Sequence, residues 1–146
     1  MSLMDAIQIG RQGLAVQRAR MQVVASNIAN ISTTVTPEGG PYRRRQVVVQ
    51  AQPLDSFESY FSNASRDPEL AGVRASEITL DPTAFPLRYE PGHPQADERG
   101  YVAYPNVNAA IETVDMVNIS RSYEANLSTI RTAREMIEQS IELLRV

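Results

Sequence analysis

The chain has 146 residues, 42% apolar and 21% charged, with a formal net charge of −3. That suits one folded domain of ordinary size and excludes a disordered acidic tail; the acidic balance also argues against a general nucleic-acid binder. With no cysteine and a single histidine, His93, there is no disulfide framework, thiolate zinc site, cysteine nucleophile or multi-histidine metal site.

All nine prolines fall between Pro37 and Pro105, and no glycine follows Gly100. Proline and glycine are the strongest helix breakers. The pattern therefore predicts two helical ends around a turn-rich, strand-capable middle, an α+β fold. No apolar run approaches the ~20 residues of a membrane helix. Met1 to Ile7 lacks a basic segment followed by an apolar core, so no cleaved secretion signal is expected.

The N-terminal arm carries a seven-residue rhythm. Ile7, Leu14, Met21 and Ile28 share one position, and Leu3, Gly10, Gln17, Val24 and Ile31 share the position four residues on. This predicts an amphipathic helix over about residues 3–30, ~42 Å long, presenting a seam to another helix. Gly10 and Gln17 interrupt the seam. Gly10 and Gly13 mark either a close backbone approach or a weak first turn.

The helix runs into Ala25-Ser26-Asn27-Ile28-Ala29-Asn30-Ile31-Ser32-Thr33-Thr34. Asn27 and Asn30, three apart, lie on nearly the same side. Asparagine terminates helices because it tolerates the left-handed conformation; buried at a helix–helix contact it also fixes register. Both roles are compatible with the cluster.

The middle reads as a small β-rich insertion. A strand is expected within Tyr42–Gln52, where Val47, Val49 and Ala51 alternate with Val48, Gln50 and Gln52. A second strand holds Val73 and Ala75, then Ile78 and Leu80, with a phase slip near Glu77 that suggests a bulge. Phe85–Tyr89 and Gly100–Tyr104 are further short strands; Pro37–Pro41 and Pro91–Pro94 are turns. Residues 53–71 give no clear pattern, and Phe57, Tyr60 and Phe61 anchor either a short helix or a packed loop there.

The C-terminal arm shows a second stripe: Tyr123, Leu127, Ile130, Ala133, Ile137, Ile141 and Leu144. Upstream, Val107, Ala110, Ile111, Val114 and Val117 form a similar stripe in a shifted phase. A helix over about 107–144, capped by Asn106 or Asn108, would run ~57 Å. Two such helices exceed what a small compact core covers. They pair with each other and, by inference, with other molecules; an intramolecular hairpin with a small capping domain is the alternative. The expected division is 1–36 and 106–146 as paired terminal helices forming a coiled-coil-like core, with 37–105 as the insertion.

Residues that carry chemistry are few. Arg43-Arg44-Arg45 is the only basic cluster, and alternation puts Arg44 opposite its neighbours, as a solvated edge or a source of ion pairs. All 14 basic residues are arginine, the side chain suited to bidentate carboxylate pairing. Asp67 with Glu69, or Asp97 with Glu98, offers the carboxylates of an acid/base pair, but no pocket-forming sequence brackets either. His93 sits in a proline–glycine turn and is expected to satisfy local hydrogen bonds. No Gly-rich phosphate loop or Gly-x-Ser-x-Gly elbow occurs, and no cofactor or metal is expected.

Ser26-Asn27-Ile28-Ala29-Asn30 after an amphipathic N-terminal helix resembles the N-terminal signature of the bacterial flagellar rod and hook family. Val114-Asp115-Met116-Val117 and Ser120-Arg121-Ser122-Tyr123-Glu124-Ala125-Asn126 are similar to its C-terminal helix signature. Thr36-Pro37-Glu38-Gly39-Gly40-Pro41-Tyr42-Arg43-Arg44 and Tyr89–Asp97, running on through Gly100–Asn108, resemble the proximal-rod branch. The likeness spans nearly the whole chain. It departs at Asn30-Ile31-Ser32, where the family more usually has alanine and asparagine, and over 54–71.

The resemblance implies a structural subunit of the proximal rod, not an enzyme, exported through the flagellar type III channel and located in the basal body where the rod crosses the periplasm. It implies terminal helices packed around the axis and neighbours that include other copies, FlgB, FliE, FlgF, FlgG and, during secretion, the export apparatus. Neither nucleic acid nor a membrane span enters this picture. The expected subunit-interface residues are Ile7, Leu14, Met21, Val24, Asn27, Ile28, Asn30, Tyr123, Leu127, Ile130, Ile137, Ile141 and Leu144. The alternatives are another axial rod or hook subunit, a helical adaptor of the export system, and a cell-wall-trimming enzyme using the Asp97/Glu98 region.

Overall fold

The computed structural model describes residues 3–53 and 71–143. Phe57, Tyr60, Phe61, Asp67, Glu69 and Leu144 lie outside the described residues. Helix α1 spans Leu3–Ala29, strand β1 Arg45–Pro53, strand β2 Ala71–Leu80, strand β3 Leu87–Tyr89, strand β4 Tyr101–Ala103 and helix α2 Ala109–Leu143. The fold is α+β, as the breaker distribution predicts. Helices of 27 and 35 residues run ~40 Å and ~52 Å at 1.5 Å per residue. Strand β1 pairs with β2; β3 pairs antiparallel with β4, with Tyr89 opposite Tyr101.

Two compact units divide the chain. The first comprises the described residues of Met1–Ala19, Val49–Ser76 and Ser120–Val146; the second comprises Arg20–Val48 and Glu77–Ile119. Each takes part of both helices.

In the first unit the helices run antiparallel at short range, and Gly10 and Gly13 are the reason. A Cβ on Gly10 would lie 2.8 Å from Ile130 Cγ1, and one on Gly13 would lie 2.7 Å from Asn126 Nδ2. Of the two readings of these glycines, the close approach is the one realised. Gln12 reaches the sheet: its Oε1 accepts from the Val73 N–H at 3.1 Å and fills the space where a Gly72 side chain would stand. Val16 and Ala133 are buried in this unit.

The second unit buries Val23, Val24, Tyr42, Val102 and Ile119. Strand β2 keeps one phase throughout: Val73, Ala75 and Thr79 are half-buried while Ile78 and Leu80 are exposed. The expected slip near Glu77 is absent, so the two bulky side chains stay on the solvent face. The Pro37–Pro41 turn closes with a Gly39 N–H donated to the Thr36 carbonyl and a Thr36 N–H donated to the Gly40 carbonyl; both glycines take positive φ. Asn108 caps α2, its Oδ1 accepting from the N–H groups of Ala110 (2.9 Å) and Ile111 (3.3 Å). Asn106 does other work, described below. Asn30 ends α1 without a left-handed residue, since no described non-glycine has positive φ. Instead its Nδ2 donates to the Ser26 carbonyl and its Oδ1 accepts from the Thr33 hydroxyl.

Candidate functional site

Within the second unit a buried polar joint ties the end of α1, the entry to β1, the end of β2 and the start of α2. Its centre is Asn27, 1% exposed, with Glu112, fully buried. Position 27 falls on the same helical face as Val23 and Val24, so packing that apolar face carries the amide inward. Inside, it must be satisfied, and it is. The Asn27 Nδ2 donates to the Arg45 carbonyl at 2.9 Å and to Glu112 Oε2 at 3.0 Å. Its Oδ1 accepts from the Arg45 N–H at 3.0 Å and the Tyr42 hydroxyl at 3.0 Å. All four hydrogen-bonding positions of the amide are used. Asn27 thus pairs with both backbone groups of Arg45, as a neighbouring strand would.

Glu112 lies in the first turn of α2, where a carboxylate is favoured by the unpaired N–H groups and the helix dipole. Its Oε1 accepts from Arg44 Nε at 2.6 Å. The remaining guanidinium nitrogens approach Asp81 Oδ2 (3.6 Å) and Asp115 Oδ2 (3.5 Å). Burial works against the Arg44 charge, but the hydrogen bond and charge of Glu112, with Asp81 and Asp115, outweigh it and raise its pKa. Asp81 is held below its ordinary pKa by the Thr83 hydroxyl and N–H, against some desolvation, with Arg44 adding to the lowering. Asn106 closes the ring. Its Oδ1 accepts from the Arg44 N–H at 2.8 Å, and its Nδ2 donates to the Asp81 carbonyl at 3.3 Å.

Arg43 turns the other way. It donates to the carbonyls of Asp81 and Thr83 at 2.8 and 3.1 Å and lies 4.3 Å over the Phe85 ring. The triplet is therefore a source of ion pairs and carbonyl contacts, with Arg44 directed inward.

The other polar residues singled out from sequence serve local turns. Asp97 Oδ1 accepts from the N–H groups of Arg99 (2.9 Å) and Tyr101 (2.8 Å), while Glu98 is exposed. His93 Nδ1 accepts from the Gln95 N–H at 3.1 Å. Tyr104 donates to Glu90 Oε2 at 2.9 Å, which raises its pKa, with desolvation in the same direction. Among the described residues no cluster of histidine, aspartate and glutamate has the geometry of a metal site. With its hydrogen-bonding capacity turned inward, the joint has the chemistry of a clamp.

The expected interface residues fall into three groups. Val24 and Asn27 are buried; Ile7, Leu14, Met21, Asn30, Tyr123, Leu127, Ile130 and Ile137 are half-buried; Ile28 and Ile141 are exposed. Sequence reasoning missed Glu112, Tyr42 and Asn106 as partners of Asn27 and Arg44. One signal for Glu112 was present: it stands in helical phase with Met116, Ile119 and Tyr123, an acid on an otherwise apolar face.

Comparisons with known proteins agree with the sequence signatures. Residues 7–35 match the family described as flagella basal body rod protein, and residues 98–143 match the family described as flagellar basal body rod FlgEFG protein C-terminal. The flagellar basal-body rod protein FlgC of Borreliella burgdorferi is 36% identical, with 99% of each chain covered. The FlgC proteins of Bacillus subtilis (38% identical, 98% of this chain and 99% of that one) and Agrobacterium fabrum (40%, 98% and 96%) are similarly related along their length.

Proposed function

This chain belongs to the FlgC family of flagellar basal-body rod proteins, and from that premise we propose that it is a structural subunit of the proximal rod. It polymerises through its terminal helices into the shaft that carries torque from the membrane ring toward the distal rod and hook. Residues 37–105 form the outer insertion. The neighbours are further copies of the chain and the other rod proteins FlgB, FliE, FlgF and FlgG, reached by export through the flagellar apparatus. The shaft crosses the periplasm, and the subunit has no catalytic role.

The observation that carries this reading is an imbalance between helix and core. The two helices span 27 and 35 residues. The buried apolar side chains among the described residues are few: Val16, Val23, Val24, Tyr42, Val102, Pro105, Ile119 and Ala133. Exposed apolar side chains meanwhile stand toward both ends of α2, Ile111, Val114 and Val117 at its start and Met136, Ile141 and Leu143 near its end. Exposed apolar surface on that scale is characteristic of surfaces that other molecules cover. A repeated head-to-tail contact whose rotation does not close builds a helical tube. The buried joint suits a torque-bearing subunit, since satisfied, charge-assisted hydrogen bonds resist shear between the elements they connect.

Cross-linking in cells tests the reading. A rod subunit links to several basal-body proteins, whereas an export adaptor links to a single client, and that second pattern would exclude the rod.

A further inference from the structure

In the first unit the fully buried residues among those described are Gly10, Val16, Gly72 and Ala133. Two of them have no side chain and a third carries a single methyl group, so this unit withdraws little apolar surface from water. The second unit instead encloses Tyr42, Val102 and Ile119 together with the satisfied Asn27–Glu112 joint. Regions with few buried apolar contacts open at a lower free energy than the rest of a fold.

Gln17 weakens the first unit further. It stands on the α1 seam between Leu14 and Met21, where the seven-residue rhythm calls for an apolar side chain. Its Oε1 is buried and accepts no hydrogen bond; among the described residues no other buried side-chain nitrogen or oxygen is left unpaired. A carbonyl shut away from water without a donor loses its hydration and gains nothing in exchange. Opening the unit returns that oxygen to water. Gln17 therefore favours the open form.

We propose that Gln17 is a release point: its unpaired carbonyl keeps the first unit ready to open while the joint holds the second unit closed, and the open form is the one that accepts neighbouring copies. The seam residues of this unit are covered on one side by their own helix pair: Ile7, Leu14, Leu127, Ile130 and Ile137 are all half-buried. Their full apolar surface becomes available to another molecule only when the pair separates. A partner that binds the open form draws the equilibrium toward it, and its apparent affinity scales with the fraction of chains that are open. The last step rests on the rod-subunit reading; the opening of the unit does not.

Hydrogen exchange of the whole chain reads the two units separately. The Val73 N–H, held by Gln12 Oε1, reports on the first unit, and the Arg44 and Arg45 N–H groups, held by Asn106 and Asn27, report on the second. The first-unit opening constant should exceed the second by at least about tenfold, and Gln17→Leu should lower it about 5–30-fold. Gln17→Met, closer in shape, repeats the measurement. Co-expressed with the parent chain, Gln17→Leu should be at least about fivefold under-represented in isolated basal bodies relative to its level among secreted chains. Adding Val16→Ala removes buried methyl groups from the same unit, loosens it again, and should restore both opening and incorporation. Unchanged first-unit exchange in both Gln17 variants would overturn the proposal. So would slowed exchange with parental incorporation, or an incorporation defect that Val16→Ala fails to relieve, which would place Gln17 in a direct contact instead. Absence of the parent chain from basal bodies would remove the rod-subunit reading and the assembly step with it, while the exchange measurements would still decide whether Gln17 sets the opening.

Discussion

Asn27 and Glu112, 85 residues apart in sequence, share a 3.0 Å hydrogen bond in a place from which water is excluded. Neither side chain belongs in an apolar interior alone. Each is there because the other, with Arg44 and Tyr42, satisfies it. Asn27→Ala would strand the Arg45 N–H and carbonyl, the Tyr42 hydroxyl and one oxygen of Glu112, at a cost of about 3 kcal/mol. Glu112→Ala would leave Arg44 without its shortest ion pair and cost about 3–5 kcal/mol. Urea unfolding measures both, and a double variant losing much less than the sum of the two would show that they act as one network.

The close helix contact makes a prediction that runs against helix propensity. Alanine is favoured over glycine in a helix by about 1 kcal/mol, yet Gly10→Ala should destabilise, because its Cβ would press on the body of Ile130 at 2.8 Å. Adding Ile130→Ala opens that space, so Gly10→Ala should cost less in that background than in the parent chain. A thermal-melt cycle over the four variants measures the coupling.

Gly72→Ala sets a useful contrast. The atom it displaces is the far end of the flexible Gln12 side chain, whose Oε1 holds the Val73 N–H. The carboxamide can swing away, so the loss should be about 1 kcal/mol, the worth of one hydrogen bond. In a Gln12→Ala background Gly72→Ala should be nearly neutral.

The helices were legible because their breakers are confined to the middle and their apolar residues step by three and four. The Asn108 cap followed from residue type. Asn27 stood out because an amide near the end of an apolar stripe has few explanations. Glu112 was not legible in the same way: periodicity assigns faces by hydrophobicity, and the partner that permits its burial, Arg44, lies 68 residues away. Strand β2 failed for the opposite reason. Apolarity alone predicts that Ile78 and Leu80 turn inward, but the pleat leaves them outside. The Ile111–Val114–Val117 stripe was visible as a shifted phase, and the shift is the offset between a face turned inward and a face turned out.

Acid and alkali should weaken the second unit through different groups. Asp81 has a depressed pKa in the folded chain, so its contribution is full above the ordinary carboxylate value of 3.8 and is lost as pH falls through the folded value. Tyr104 has a raised pKa, so its contribution is full below the ordinary value of 10.0 and is lost as pH rises through the folded one. Thr83→Val should flatten the acid limb of a stability–pH profile, and Tyr104→Phe the alkaline limb. An acid limb unaltered by Thr83→Val would contradict the assignment.

Electron cryo-tomography of motors in a strain lacking this gene tests the central claim most directly. A rod subunit predicts that the membrane ring remains while the shaft above it is missing, with restoration by the unsubstituted gene. A complete shaft and hook in the deletion strain would contradict the account.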